Sequence, residues 1–326
     1  MPLDTRLTRS FWIAHPVVCA PMAFAAGGAL AAAISDAGGL GLIGGGYGDR
    51  DWIDREFEKA GNAQVGCGFI AWSLAQQEGL LESVLDRRPA ALFLSFGDFA
   101  SPARKAREAG VPVICQIQTV EDARRAIDCG ATVIAAQGSE AGGHGEKRAT
   151  MALVPEVADL LAARAPDILL CAAGGIADGR GIAASLMLGA DGVVVGSRFW
   201  ASREALVPKG FHTAALEADG DDTIRSSVMD IVRSRAWPAR FTARVLKNGF
   251  TRRWHDHEDE LRAHAAELAP LWAAAWQSGD AEVANTFVGE VVGQIDRIEP
   301  AALLLDRMIE EAELLLGTAG RYVRKS

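Results

Sequence analysis

The chain has 326 residues, 49% of them hydrophobic, a formal net charge of −9 and a pI near 5.3. That apolar content is enough for a large core, as one big domain or a domain with an appendage, and the acidic balance argues against nucleic acid or an anionic membrane as partner. No apolar run reaches the roughly 18 residues a membrane span needs, and the start MPLDTRLTRSFW lacks a signal-peptide hydrophobic region.

Taken in order, eight short β-rich runs precede residue 200: 17–20, 40–43, 65–70, 91–95, 113–117, 132–136, 168–172 and 192–196. Helical patterning fills the gaps at 27–37, 51–60, 74–86, 102–108, 120–129, 154–163 and 179–188. The strands are apolar throughout, and no hairpin signal interrupts the alternation, which is the pattern of a parallel sheet covered by helices. Eight repeats in about 200 residues fit an α/β chain closed as a (β/α)8 TIM barrel better than an open doubly wound sheet, the alternative. Cys19, Cys67, Cys115, Cys129 and Cys171 form neither a CxxC pair nor a metal-ligand spacing, and four of them fall in apolar strand-like runs. The expectation is a cytoplasmic protein with buried, reduced thiols.

Residues 208–290 change character. They show no convincing strand, and Trp237, Trp254, Trp272 and Trp276 punctuate a helical, charge-rich stretch, which predicts a helical insert with an aromatic core. Apolar spacing then returns at Leu303, Leu304, Met308, Ala312 and Leu315, predicting the eighth barrel helix over 300–316. The expected division is a barrel of residues 1–207 and 291–326, with 208–290 inserted after strand eight and covering the barrel mouth. His255, His257 and His264 lie in a charged helical stretch and read as solvent-facing rather than as metal ligands.

Function in such a barrel collects at the carboxyl ends of the strands. Strand one ends Ala20-Pro21-Met22, strand three Gly66-Cys67-Gly68, strand five in Gln116 and Gln118, and strand six in Gln137. The stretch after strand six, 137–146, carries Glu140 and His144 among Gly138, Gly142, Gly143 and Gly145. These glycines permit φ > 0 and close approach to a flat ligand, and a side chain at 142 or 143 would hold the ligand off. His144 is the group there that titrates near neutrality; an ordinary βα loop with an exposed histidine is the alternative. Strands seven and eight end in Gly174-Gly175 and Gly196-Ser197. Their backbone N–H groups, with the N-termini of the helices that follow, would form a phosphate site at the place where barrels bind phosphate; turns that merely need glycine are the alternative. An attached ring would then reach Met22, Gly68, Gln116 and Gln137, and such uncharged partners suit a neutral heterocycle such as a flavin. Gly39-Leu40-Gly41-Leu42-Ile43-Gly44 matches GxGxxG, but it lies within a strand rather than opening a helix, so a Rossmann site is not expected.

These motifs resemble the nitronate monooxygenases (formerly 2-nitropropane dioxygenases) and the closely similar flavin-dependent enoyl-ACP reductases. The resemblance covers nearly the whole chain and is carried by Ala20-Pro21-Met22, Glu140-Ala141-Gly142-Gly143-His144, Ala173-Gly174-Gly175-Ile176-Ala177-Asp178-Gly179 and Gly196-Ser197-Arg198-Phe199, with 250–254 and 289–293 in support. It implies FMN as cofactor, with phosphate contacts on Gly175, Gly196 and Ser197 and Gly174 beside them, ring contacts on Met22, Gln116, Gln137 and Gly142, and the catalytic histidine on His144. It further implies conversion of alkyl nitronates and O2 to carbonyl compounds and nitrite. Two positions depart from the pattern: Gly68 stands where many relatives have Asn, and Gln116 where some have Lys. An NAD(P)H-dependent flavin reductase acting on quinones or enoyl thioesters is the alternative enzyme, and a non-catalytic flavin binder the alternative from another class. Small-molecule substrate and O2 are the expected partners; the oligomeric state is left open.

Overall fold

Successive strand residues point to opposite faces of a sheet, and that parity organises this molecule. The computed structural model describes residues 2–323. Its strands are β1 (Val17–Cys19), β2 (Leu42–Gly46), β3 (Gly66–Ile70), β4 (Leu92–Ser95), β5 (Val113–Ile117), β6 (Val133–Gln137), β7 (Gly143–Gly145), β8 (Leu169–Ala173), β9 (Gly192–Val195), β10 (Thr223–Ser226) and β11 (Thr242–Leu246). Eight of them, β1–β6 with β8 and β9, form one parallel sheet in the order β1-β9-β8-β6-β5-β4-β3-β2. The ring closes where Val18 bridges Leu40, with the Cys19 N–H donating to the Leu40 carbonyl and the Leu40 N–H to the Val17 carbonyl, both at 2.9 Å. The chain is a (β/α)8 barrel.

One parity fills the barrel: Val18, Phe93, Ile114, Val133, Ala135, Cys171 and Val194 pack together inside it. The other parity, including Val17, Cys19, Leu92, Val113, Cys115, Ile134 and Val193, packs outward under the helices. Burial pushes the thiols of Cys19 and Cys67 up to about 12, so both stay protonated and inert. The covering helices are α2 (Gly28–Asp36), α3 (Arg50–Ala60), α4 (Ala71–Leu74), α5 (Leu80–Asp86), α6 (Ala100–Glu108), α7 (Val120–Asp128), α8 (Thr150–Arg164) and α9 (Gly179–Met187). Sequence patterning did not show α1 (Arg6–Phe11), which plugs the amino end of the barrel: Leu7 joins the interior cluster, and Arg6 grips Asp191 through two hydrogen bonds of 2.7 Å.

After β9 come α10 (Ser197–Trp200), α11 (Lys209–Leu216), α12 (Val228–Val232), α13 (Gly249–Trp254) and α14 (Glu258–Ser278). The last helix, α15 (Ala301–Gly317), packs against both α9 and α2 and so takes the place of the eighth barrel helix. The stretch between is not wholly helical. β10 and β11 pair antiparallel, and β11 continues onto β7, the loop that follows the sixth barrel strand. The expectation of no strand there fails because both are short and partly polar (TIRS and TARVL), and fifteen residues separate them. No helix among the described residues is long and apolar enough to cross a membrane.

Candidate active site

All eight barrel strands end on one cavity at the carboxyl face. Inward parity, continued from Ile114 to Gln116 and from Ala135 to Gln137, turns both amides toward it. Gln137 Oε1 accepts from Gln116 Nε2 at 3.0 Å and from Gln118 Nε2 at 2.8 Å. Gln137 Nε2 and Gln116 Oε1 have no partner among the described residues, leaving one donor and one acceptor for a ligand edge. Gly68 is glycine because of its neighbour: a Cβ there would sit 2.3 Å from Pro21 Cβ. The departure at 68 is therefore a packing solution against the end of β1.

The glycine turns of the seventh and eighth barrel strands lie side by side on the same cavity. A Cβ built on Gly175 would meet its first atom, Glu140 Cβ, at 3.5 Å, and one on Gly196 would meet Ala20 Cβ at 3.7 Å and Met22 Sδ at 3.8 Å. Side chains at these positions would enter the cavity rather than clash with protein, so the bare backbone borders the cavity. Gly174 and Gly175 hold φ of +92° and +76°, which also favours glycine. Of the two helix N-termini expected to help, only that of α10 keeps its first N–H groups free of side-chain partners among the described residues. The first N–H groups of α9 are taken by Asp178 and Glu311, and α10 is a single turn of four residues. Ser197 Oγ is engaged as well, accepting from the Gly289 N–H at 2.9 Å.

The loop bearing His144 is tied down on every side. Glu140 accepts from the Thr150 N–H at the start of α8 (3.0 Å to each oxygen) and from Thr150 Oγ1 (2.9 Å). The Glu140 carbonyl accepts from the Glu290 N–H at 2.9 Å. Of the four loop glycines, Gly143 alone takes positive φ, +71°, with no atom within 4 Å of a built Cβ. Gly142 is glycine for another reason than the ligand: a Cβ there would lie 2.5 Å from the Val288 carbonyl carbon and 2.6 Å from Gly289 N. His144 itself sits in β7, opposite Ala243 of β11.

Its imidazole lines the cavity with its side chain 8% exposed. Nε2 lies 2.8 Å from Asp230 Oδ2, and the ring stacks on Trp237 with centroids 3.4 Å apart and planes 5° apart. Trp237 is fixed in turn by its Nε1–H donating to Tyr47 Oη at 3.0 Å. Burial lowers the His144 pKa, against the upward pull of Asp230, so the ring is neutral at pH 7. Arg233, among the described residues the one Lys or Arg lining the cavity, donates to Asp230 Oδ1 at 2.9 Å and to the Met229 carbonyl at 2.8 Å.

The structure thus brings His144 to one cavity with Ala20, Pro21, Met22, Gly68, Gln116, Gln137, Gly142, Gly143, Gly174, Gly175, Gly196 and Ser197. Sequence reasoning missed Asp230, Arg233, Trp237 and Tyr47. It also missed Phe24 and Phe96, which line the mouth at φ of +65° and +60°. Trp272 and Trp276 do stack in the expected aromatic core, 5.5 Å apart, although Trp276 also reaches the cavity. The GxGxxG glycines serve packing: a Cβ on Gly41 would strike the Ala31 carbonyl oxygen at 1.8 Å.

The family model described as nitronate monooxygenase matches residues 4–66 and 58–311. Nitronate monooxygenase npaC of Metarhizium robertsii is 34% identical, over 94% of this chain and 93% of its own. FabK of Thermotoga maritima superposes with a TM-score of 0.86 at 30% identity, covering 98% of this chain and 100% of that one. A nitroalkane oxidase of Streptomyces ansochromogenes superposes with a TM-score of 0.77 at 26% identity, covering 94% and 98%.

Proposed function

We propose, from the premise that this chain belongs to the nitronate monooxygenase family, a family of oxidoreductases, that it is an FMN-dependent enzyme oxidising alkyl nitronates with O2 to carbonyl compounds and nitrite. The observation that carries the reading is the meeting of His144 with two glycine turns, 174–175 and 196–197, on one cavity otherwise walled largely by apolar and aromatic side chains. The residues fit a flavin. Bare backbone at Gly175 and Gly196 leaves room for a phosphate, and the unpaired amide atoms of Gln116 and Gln137 match a ring edge that both donates and accepts. Bound FMN would supply the redox chemistry.

The chain's own residues would do the rest. The aromatic walls, Phe24, Tyr47, Phe96 and Trp237 among them, would exclude water and hold the substrate against the ring. His144 would hold a nitro oxygen of the nitronate or, where the neutral nitroalkane is offered, move the proton on its α-carbon; either role asks for an imidazole within hydrogen-bond reach. An anaerobic titration of the flavin-loaded protein tests this. Loss of the oxidised flavin absorbance on adding ethyl nitronate, with nitrite formed once air is admitted, is expected; no response to any nitronate would refute it.

The similarity to FabK favours one second reading, an NAD(P)H-dependent reductase acting on quinones or enoyl thioesters at the same site. Rapid anaerobic bleaching by NADH, without response to nitronate, would select it.

A further inference from the structure

A buried carboxylate held by two donors fixes the protons of both, and the group behind His144 is of this kind. We propose that Asp230 is a positioning residue: it holds the His144 proton on Nε2, so that Nδ1 is the lone-pair nitrogen available to the cavity. This rests on the reading of His144 as the proton-handling group of the site.

An ionised carboxylate accepts and cannot donate, so the 2.8 Å contact between His144 Nε2 and Asp230 Oδ2 requires the hydrogen on Nε2. Asp230 cannot turn away, because its other oxygen takes the Arg233 Nη2–H at 2.9 Å. Arg233 cannot follow a rotation, because its Nε–H donates to the Met229 carbonyl and its guanidinium lies over the rings of Trp272 and Phe287, at 5.2 and 5.6 Å. The Asp230 side chain is 5% exposed, so bulk solvent has little access to it. Arg225 is the other cation whose field reaches the imidazole, and it is held by Ser139 and Thr242 rather than by Asp230. Trp237, stacked on the imidazole, fixes the ring plane, and the β7–β11 pairing fixes the backbone. His144 Nδ1 has no partner among the described residues. A neutral imidazole held this way presents a base toward the cavity, able to take a proton from a substrate carbon and keep it on Nδ1. An Asp–His pair that served only to staple α12 to β7 would fix the same tautomer, so the two roles part at turnover: kcat follows the proton in a positioning pair and ignores it in a staple.

The test is Asp230→Asn, which keeps the shape and changes the proton count. Arg233 donates only, so the Asn oxygen must face Arg233 and the amide N–H must face His144 Nε2. That nitrogen must then accept, and the hydrogen moves to Nδ1. Holoenzyme labelled with 15N-histidine reports the tautomer directly. Nε2–H is expected in the wild type and Nδ1–H in Asp230→Asn, with kcat for nitroethane lowered on the order of 10²–10⁴-fold and KM and the flavin spectrum unchanged. Adding Arg233→Met frees the Asn to rotate, and the Nε2–H tautomer is expected to return with part of kcat. Nδ1–H in the wild type overturns the proposal even if the variant fails to fold, and so does an Asp230→Asn enzyme that keeps the wild-type tautomer or the wild-type kcat. A tautomer that moves as expected in a protein inert toward every nitro compound upholds the tautomer assignment and refutes the proposed function.

Discussion

Gly196→Ala separates what the fold needs from what a ligand needs. The Gly196 φ is −104°, outside the left-handed region, and the nearest atoms to the added methyl lie at 3.7 and 3.8 Å, ordinary contact distances. No clash opposes the methyl, so the apoprotein should fold with a melting temperature near that of the wild type. The same methyl enters the space assigned to the FMN phosphate. Hydrogen bonds to a charged group contribute about 1.5–3 kcal/mol each, so displacing one weakens FMN by about 10- to 150-fold. Titrating the apoprotein by flavin fluorescence with FMN and with riboflavin gives the comparison. Only FMN has the phosphate, so only FMN should weaken. Equal affinity of variant and wild type for FMN, or an equal loss for riboflavin, would refute the assignment of the phosphate to these turns.

Gly68→Ala should behave in the opposite way. Its methyl would lie 2.3–2.4 Å from Pro21 Cβ and Cγ, and overpacking of this kind costs about 1–3 kcal/mol, read as a lowered melting temperature of the apoprotein. Because burial holds the His144 pKa below 6.5, the acid limb of kcat/KM for a nitroalkane should lie below pH 6.5, with a plateau above it. The sign for stability is the same: the unfolded chain takes up the proton first. This histidine's contribution is thus fully present above pH 6.5 and declines as the pH falls toward the folded-state value, by at most about 1.4 kcal/mol per pH unit. Urea denaturation of wild type and His144→Gln across that window checks it.

The barrel was readable because its signals are local. Strand parity, glycine at strand ends and strict alternation of strand and helix each show within a few residues, and parity alone turns Gln116 and Gln137 inward. The partners of His144 left no such trace. Asp230 lies 86 residues further on, in a segment that reads as an ordinary amphipathic turn. It reaches His144 only because β11 pairs with the three-residue β7, a contact that neither segment signals by itself. Trp237 looked like one more tryptophan of a helical core until the loop carrying it folded back over the imidazole. Gly142 stands out in the sequence as a place where a side chain would hold a ligand off, whereas a Cβ there would strike the backbone at 288–289, which returns from the far side of the insert.

The claim under all of this is that His144 works on a substrate beside a separately anchored flavin. Purified His144→Ala, measured beside the wild type for bound flavin and for nitrite released from nitroethane in air, tests it most directly. The account predicts the same visible spectrum and flavin content with nitrite release lowered on the order of 10²-fold or more. A yellow variant that releases nitrite at the wild-type rate would contradict it.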